Sequence, residues 1–283
     1  MSRNKYQYLI AGLPDLSLHD EKEWISVPDF REMLKKGLDS DDYEQVKLVF
    51  LRYDNENLVN YLEKGKINER LAANYRLEDF RNQEESFSSI IPEDDILPLY
   101  MVEVMKEFQG GKDNFNSLTY SHLIAQKYYQ YIQENAGEFL RQYTTLEYDL
   151  ANLLTYIESR NHAMDPEQFL TGSSSLTNHL REHVSRTMTK PPDFDLFTEI
   201  ICYAELPSVA EKEMKYDELR WRMIDEMTFF EEFTIDRVLG YLFKMLIINR
   251  WTQLQHEQGE EKLRRIIRGA REFAISGAEP LGS

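Results

Sequence analysis

Residues 52–63 read RYDNENLVNYLE and residues 147–158 read EYDLANLLTYIE, so one pattern occurs twice, 95 positions apart (147 minus 52). Six of the twelve positions are identical: Tyr, Asp, Asn, Leu, Tyr and Glu. Around the first copy, apolar residues recur at three- and four-residue steps from Val46 to Leu62. This spacing is the period of an amphipathic α-helix. The stretch therefore predicts a helical fold that uses one helix signature twice.

The repeated residues define what we call the motif. Its members are Tyr53, Asp54, Asn57, Leu58 and Tyr61 in the first copy and Tyr148, Asp149, Asn152, Leu153 and Tyr156 in the second. We expect the first Tyr, the Asn and the second Tyr of each copy to share a helical face and to occupy equivalent positions in two related subdomains. An Asn in an apolar stripe is costly unless its amide is hydrogen-bonded, which indicates a specific contact between helices.

Two other interpretations of the motif stay open. Its Asp and Asn could cap a second helix after a break in the chain, or the match could be due to chance in a helix-rich sequence. A third copy is expected at Thr234–Tyr241, where Tyr241 follows Val238 at the right interval but the Asp and Asn are both missing.

The rest of the chain also has helical periodicity, and no segment alternates strictly enough to predict a strand. We therefore assign the chain to the all-α class, with two to three related helical subdomains. Helices are predicted at about 28–36, 40–63, 77–85, 94–105, 118–135, 137–160, 208–231, 234–255 and 260–275.

Glycine and proline mark the predicted subdomain boundaries. Gly110-Gly111 opens a polar loop, and Pro191-Pro192 interrupts the chain again. We divide the sequence into subdomain 1 (1–110, first motif), subdomain 2 (111–191, second motif), a degenerate subdomain 3 (192–275) and a flexible tail (276–283).

The charge balance limits the classes of partner. The chain has 33 Lys and Arg against 50 Asp and Glu, a formal net charge of −17. Such a charge repels the phosphates of nucleic acids and anionic lipid surfaces. We expect protein partners and no nucleic acid, and any membrane contact would be made through a membrane protein or through the local basic stretch 262–271.

The sequence also predicts a cytoplasmic protein without insertion into lipid. Cys202 is the only cysteine, so an intramolecular disulfide is impossible. The first ten residues lack the apolar run of a signal peptide. The longest apolar stretch, residues 238–248, is far shorter than the roughly 20 residues that span a bilayer.

Three stretches of this sequence resemble a known family. Residues 6–16 (YQYLIAGLPDL), 50–58 (FLRYDNENL) and 146–154 (LEYDLANLL) are similar to a divergent bacterial branch of the C subunit of V-type ATP synthases, which is the d subunit of eukaryotic V-type enzymes. The resemblance implies three similar helical subdomains, each with an acid-x-x-Asn-Leu helix. The chain departs from the family in being shorter and in lacking the Asp and Asn of a third copy.

The resemblance also implies a function. Such a subunit forms a socket between the central rotor stalk and the cytoplasmic face of the membrane proteolipid ring, without catalysis or a cofactor of its own. The implied partners are the central-stalk subunits and the proteolipid ring. The coupling ion, proton or sodium, and the direction, pump or synthase, stay open. The alternative from another class is a stand-alone helical adaptor or assembly factor that has left the rotor.

A third hypothesis is a zinc hydrolase. His179, Glu182 and His183 fit the inverted zinc-protease pattern H-x-x-E-H, in which the two histidines share a helical face and the glutamate is the general base. The pattern fixes only three residue types, and a solvated charged helix explains it as well. Our assignment is therefore no metal site and no catalytic residues.

Other candidates for chemistry have simpler explanations. The acids at 39–42 and 93–95 lie at predicted helix starts, where they complement the helix dipole, and they lack the spacing of a calcium loop. Gly110-Gly111-Lys112 lacks the other residues of a phosphate loop. The apolar segment around Cys202 is expected to disfavour its thiolate.

Overall fold

α-Helices form the regular structure of the described chain. The structure is a computed structural model that describes residues 6–18, 24–89, 94–111, 116–161, 164–183, 189–191 and 193–254, and these residues include no strand. The predicted all-α class is confirmed. The helices are α1 (Gln7–Ala11), α2 (Val27–Gly37), α3 (Ser40–Lys64), α4 (Leu77–Ser86), α5 (Leu99–Gly110), α6 (Ser117–Asn135), α7 (Glu138–Asn161), α8 (Ser175–Glu182), α9 (Phe197–Ala204), α10 (Val209–Met227) and α11 (235–254), with a 3₁₀ turn at Pro166–Phe169.

Local sequence explains where several helices begin and end. Ser26 and Ser174 cap α2 and α8, each accepting a hydrogen bond from a main-chain N–H in the first turn, at 3.3 Å from Asp29 and 3.0 Å from Thr177. α3 ends at Lys64 and is capped by Gly65, whose φ of 64° is in the left-handed region and whose N–H donates to the Tyr61 carbonyl (2.7 Å).

Three predicted helix boundaries are wrong, namely both ends of the helix predicted at 94–105, which is α5 (Leu99–Gly110), and the end of α10. The helices α1, α8 and α9 are not among those that the sequence patterns predict. α5 begins at Leu99 rather than near Asp94, because the Gln83 side-chain oxygen accepts the N–H groups of Ile96 and Leu97 (2.7 and 3.2 Å) and holds the preceding segment non-helical. α10 ends at Met227 rather than at Glu231, and a turn at 228–230 follows. The predicted helix at 260–275 and the tail 276–283 lie outside the described residues.

The buried side chains of the described residues form two clusters, and the larger one cuts across the three predicted subdomain ranges. The larger one joins residues from all three ranges, including Phe50, Ile132 and Leu242. The smaller one lies between Leu150 and Leu219. α7 and α10 each contribute to both clusters, so these two helices connect the halves of the core.

No helix in the described ranges combines the length and the apolar composition needed to cross a membrane.

The crossing of α10 and α11 depends on Gly240. A Cβ at this position would lie 2.9 Å from the Thr228 methyl carbon and 3.1 Å from an Ile224 methyl carbon. We expect Gly240→Ala to lower the free energy of unfolding by about 1–3 kcal/mol through overpacking, although alanine favours helices. Gly110→Ala is the matched control, because a Cβ there meets nothing within 4 Å, and its effect should stay within about 1 kcal/mol. Urea denaturation followed by circular dichroism measures both. Equal effects of the two substitutions would contradict the close approach at Gly240.

Candidate functional site

Both motif copies lie inside continuous helices, the first in α3 and the second in α7. The interpretation of a capped second helix after a break is therefore wrong. In each copy the Asp, the Asn and the second Tyr are buried, with exposed fractions of 0, 1 and 8% in α3 and 7, 2 and 0% in α7.

In the first copy, the Asp and Asn bind the connection that follows α3. One carboxylate oxygen of Asp54 accepts the main-chain N–H groups of Asn74 (2.8 Å) and Tyr75 (2.9 Å), and the other accepts the Asn74 side-chain amide (2.6 Å). The Asn57 side-chain oxygen accepts the main-chain N–H of Asn68 (2.8 Å). These bonds hold residues 68–75 against α3, directly before α4.

In the second copy, the same two residues bind the connection that follows α7. The Asn152 oxygen accepts the Thr171 N–H (2.9 Å), and its amide donates to the Thr171 carbonyl (2.7 Å) and to the Thr177 hydroxyl (2.8 Å). Asp149 accepts the hydroxyl of Ser174, the N-cap residue of α8, and that of Thr177 (3.4 Å). The segment 171–177 is thereby fixed on α7.

The second Tyr of each copy reaches the short helix that comes next. The Tyr61 hydroxyl donates to Glu84 of α4 (2.6 Å), and the Tyr156 hydroxyl donates to the carbonyl of His183, directly after α8 (2.8 Å). We call the two triads, Asp54/Asn57/Tyr61 and Asp149/Asn152/Tyr156, the clamps. Each clamp fixes one connection and one short helix on its long helix.

The first Tyr of the motif makes contacts that differ from those of the clamp residues. The Tyr148 hydroxyl donates to the Ala125 carbonyl of α6 (3.0 Å), and Tyr53 packs at the edge of the larger core cluster. The Asp, which precedes the Asn by three positions, binds the connection together with the Asn.

A third Tyr-Asp pair lies in α10, not at Thr234–Tyr241 as expected. Tyr216 and Asp217 are 4% and 1% exposed and lie on a long helix, as the other two pairs do. The position that is Asn in the first two copies is Arg220 here. The Tyr-Asp dipeptide was the signal in the sequence, and it is hard to recognise because the remainder of the motif has changed.

The carboxylate of Asp217 binds side-chain donors rather than the main chain of a connection. It accepts Arg220 (3.0 Å), Arg250 and the Trp251 indole N–H (2.7 Å). Arg220 also pairs with Glu147 of α7 (2.7 Å). This network ties α10 to α7 and α11.

The network borders a hollow between the three Tyr-Asp helices. Two adjoining cavities of about 240 and 200 Å³ share the lining residues Arg52, Tyr143, Glu147 and Phe243. The second cavity is lined from α3, α7, α10 and α11. Arg52 and Glu147 directly precede the Tyr-Asp pairs of α3 and α7, so equivalent motif ends meet at this hollow.

Opposite charges at the hollow stabilise each other. Burial acts to raise the pKa of Glu147, but the guanidinium groups of Arg220 and Arg52 outweigh it and hold this pKa below its usual value. The pKa of Arg220 is raised, since Glu147 and other acidic groups outweigh the cost of its burial. Glu147 is therefore ionised inside the protein at neutral pH.

The pKa values of the clamp aspartates are raised, in contrast to that of Glu147. Burial raises the pKa of Asp54 and of Asp149 to about 6, although hydrogen bonds from the clamped connections act to lower each value. Near neutral pH both carboxyls are thus close to their titration range.

The two clamps differ at the Asn amide. The Asn57 amide nitrogen is buried without a hydrogen-bond partner, whereas the equivalent Asn152 nitrogen donates two bonds. Asn57 lines a surface cleft with residues of the 67–78 connection and Arg81. The Asp and Asn of the first clamp therefore bind through acceptor oxygens alone, whereas Tyr61 donates.

The residues of the H-x-x-E-H pattern do not converge. The rings of His179 and His183 stack with centroids 4.1 Å apart. A nitrogen of His179 lies 3.1 Å from the Thr189 carbonyl oxygen, and one of His183 lies 2.8 Å from the His179 carbonyl oxygen. Glu182 is exposed at the end of α8. No three His, Cys, Asp or Glu side chains of the described ranges are grouped so that they could hold a metal ion.

The other residues considered for chemistry, where the structure describes them, make contacts that support the fold or lie exposed. Asp41 and Asp42 lie in the first turn of α3, where Asp42 accepts the Tyr6 hydroxyl. Asp95 accepts the Gln83 amide (3.0 Å), and Glu93 and Lys112 lie outside the described residues. The expectation for Cys202 is corrected: its side chain is exposed, because α9 turns Phe197 and Ile200 towards the core.

The raised pKa of Asp149 predicts a pH-dependent stability. Because its pKa is about 6 in the folded protein and 3.8 without the fold, the folded state binds the proton more tightly. The stabilisation is complete below pH 4 and is lost as the pH rises through 6. The free energy of unfolding of Asp149→Asn, relative to that of the wild type, should therefore rise by about 2–3 kcal/mol between pH 4 and pH 7. Urea denaturation at several pH values measures this difference, and a difference independent of pH would contradict the assignment.

The unequal Asn amides predict unequal effects of the same substitution. Asn→Asp keeps the acceptor oxygen and removes the donor, and each position lies three residues after a buried Asp. Asn152→Asp loses two donated bonds and should lower the free energy of unfolding by about 2–3 kcal/mol more than Asn57→Asp does. Thermal and urea denaturation of both variants provide the comparison. An equal or larger loss for Asn57→Asp would show that the clamps do not differ in this way.

Comparison with known proteins places the chain in a family. No curated protein and no solved structure matches it. A family model described as "Protein of unknown function (DUF2764)" matches residues 3–272, nearly the whole sequence. The chain therefore belongs to the DUF2764 family.

Proposed function

We propose that this chain is a non-catalytic subunit of a V/A-type rotary ATPase that links the central stalk to the membrane proteolipid ring. The proposal starts from the three stretches that resemble the C subunit of such enzymes. The observation that carries it furthest is that three long helices with a Tyr-Asp pair, α3, α7 and α10, border one hollow. This arrangement suits a socket built from three related helical units.

Two hydrogen bonds join the N-terminal stretch 6–16 to the region of α11. The Tyr6 N–H donates to the Phe233 carbonyl (3.2 Å), and the Tyr241 hydroxyl donates to the Pro14 carbonyl (3.0 Å). All three stretches that carry the resemblance thus contact or belong to the helices around the hollow.

A linking subunit needs stiffness, and the buried polar contacts supply it. Each clamp fixes the connection after a long helix on that helix, and the Asp217 network joins α7, α10 and α11. Satisfied buried polar networks favour a single arrangement of the elements that they join. Torque applied to one helix is then passed to its neighbours with little internal motion.

The charge supports attachment through proteins. With a net charge of −17, direct adsorption to an anionic cytoplasmic leaflet is unfavourable. We therefore place the chain at the cytoplasmic face of the membrane by contact with the proteolipid ring and the stalk, without insertion into lipid. The coupling ion is left open.

The proposal is tested by purification from the native cells. A tagged copy expressed at its normal level should co-purify with the stalk subunits and the proteolipid ring from gently solubilised membranes, as identified by mass spectrometry. The tag alone is the control. Recovery of the tagged chain free of every rotary ATPase subunit would contradict the proposal.

The stand-alone adaptor or assembly factor remains the second candidate, favoured by one observation. The third Tyr-Asp helix has lost the Asn and the second Tyr of the clamp, since Arg220 and Ile224 occupy those positions. An assembly factor would bind the ATPase only before assembly is complete. Pulse-labelled complexes distinguish the two, because a rotor subunit stays in the mature enzyme and an assembly factor leaves it.

A further inference from the structure

The turn between α10 and α11 exposes two adjacent aromatic rings. The side chains of Phe229 and Phe230 are 71% and 87% exposed, and their rings lie edge to face with centroids 4.9 Å apart. Single exposed apolar residues are common on protein surfaces, but a contiguous pair of large rings indicates a contact site. We call these two residues the aromatic tip.

Hydrogen bonds fix the aromatic tip on both sides. Before it, the Thr228 hydroxyl donates to the Ile224 carbonyl of α10 (2.8 Å), and the Glu231 N–H donates to the Thr228 carbonyl (3.1 Å). After it, the Phe233 carbonyl accepts the Tyr6 N–H (3.2 Å). The rings are therefore presented by a built turn, and a partner that binds them loses little free energy in ordering the main chain.

The surroundings of the tip are acidic. Glu231 and Glu232 follow it directly, and Asp236 lies in the first turn of α11. Burial and then the nearby carboxylates of Glu231, Asp42 and Glu138 raise the pKa of Asp236 to about 6. Acids from α3 and α7 thus lie near Asp236 of α11, and Arg237, which donates to the Thr228 hydroxyl (3.3 Å), is a cation beside them.

This combination of shape and charge selects a class of partner. Exposed rings on a fixed turn fit an apolar pocket, and the acids around them favour lysine and arginine at the rim of that pocket. An anionic bilayer would accept the rings but would be repelled by the acids. The charge therefore favours a protein over a lipid surface.

We propose that the aromatic tip docks into an apolar pocket with a basic rim on a protein partner. Because we take that partner from the rotary ATPase, the choice of partner rests on the proposed function. The surface itself is assigned from the exposure of Phe229 and Phe230 and from the acids around them.

Three variants test the docking surface. Phe229→Ser together with Phe230→Ser removes the rings. Glu232→Lys reverses an exposed charge next to them. Val209→Ser is the matched control, because Val209 is 75% exposed at the other end of α10. The altered side chains are exposed, so all three variants should keep the wild-type melting temperature.

Co-purification with the rotary ATPase from solubilised membranes gives the main result. We expect the double Phe variant to retain at least about tenfold less ATPase than the wild type, and the Val209 control to retain the wild-type amount. Glu232→Lys should reduce retention severalfold. If wild type and double variant retain equal amounts, the docking surface is wrong while the proposed function stands. If the wild type retains none, the proposed function fails.

A photocrosslinker tests the docking surface whether or not the chain co-purifies with the ATPase. Benzoylphenylalanine in place of Phe230 should crosslink in cells to a protein peptide that contains apolar residues flanked by lysine or arginine. Crosslinks to lipid or to a second copy of this chain would overturn the proposal.

Vesicles test the lipid alternative directly. Neither phosphatidylcholine vesicles nor vesicles with added phosphatidylglycerol should carry the wild-type chain in a flotation assay. The sign of the Glu232→Lys effect is decisive, because the substitution weakens binding to a basic protein rim and strengthens binding to an anionic bilayer. Wild-type flotation that the double Phe variant loses would overturn the proposal.

Discussion

The structure depends on buried side-chain acceptors that satisfy the main chain of irregular connections. Asp54 and Asn57 accept three main-chain N–H groups from residues 68–75, which would otherwise be unpaired against an apolar helix face. Asn152 does the same for Thr171. Because these bonds form only when the connection lies on the long helix, they decide where α4 and α8 pack. Burial disfavours the ionised form of both clamp aspartates, and the hydrogen bonds from the connections offset part of this cost.

In α10, the third helix with a Tyr-Asp pair, the Asp binds side chains of neighbouring helices instead of a connection. The turn from α10 to α11 is short, so there is no long connection for Asp217 to hold. Its carboxylate instead binds Arg220, Arg250 and Trp251, and the result is a joint between helices. Arg220 continues this joint to Glu147 beside the second motif. In place of a clamp, α10 therefore carries an ionic network, which places charged side chains at the hollow where α3, α7 and α10 meet.

The hollow and the aromatic tip are formed by different parts of the chain. The hollow lies at the Arg52 and Glu147 ends of the motifs, whereas the aromatic tip lies at the turn after α10. Asp217 and Arg250 connect the helices that carry both features.

The sequence by itself determined the all-α class and indicated that the Asn of each motif copy is hydrogen-bonded within an apolar stripe, because periodicity and side-chain polarity are local properties. It also predicted most helix boundaries where serine caps or glycine signals them. Only the tertiary structure decided what the polar residues bind: the partners of Asn152 lie 19 and 25 positions away, and those of Asp217 include residues 33 and 34 positions away. The start of α5 at Leu99 and the joining of α10 to α11 through Asp217 both depend on such distant contacts, which no local spacing encodes.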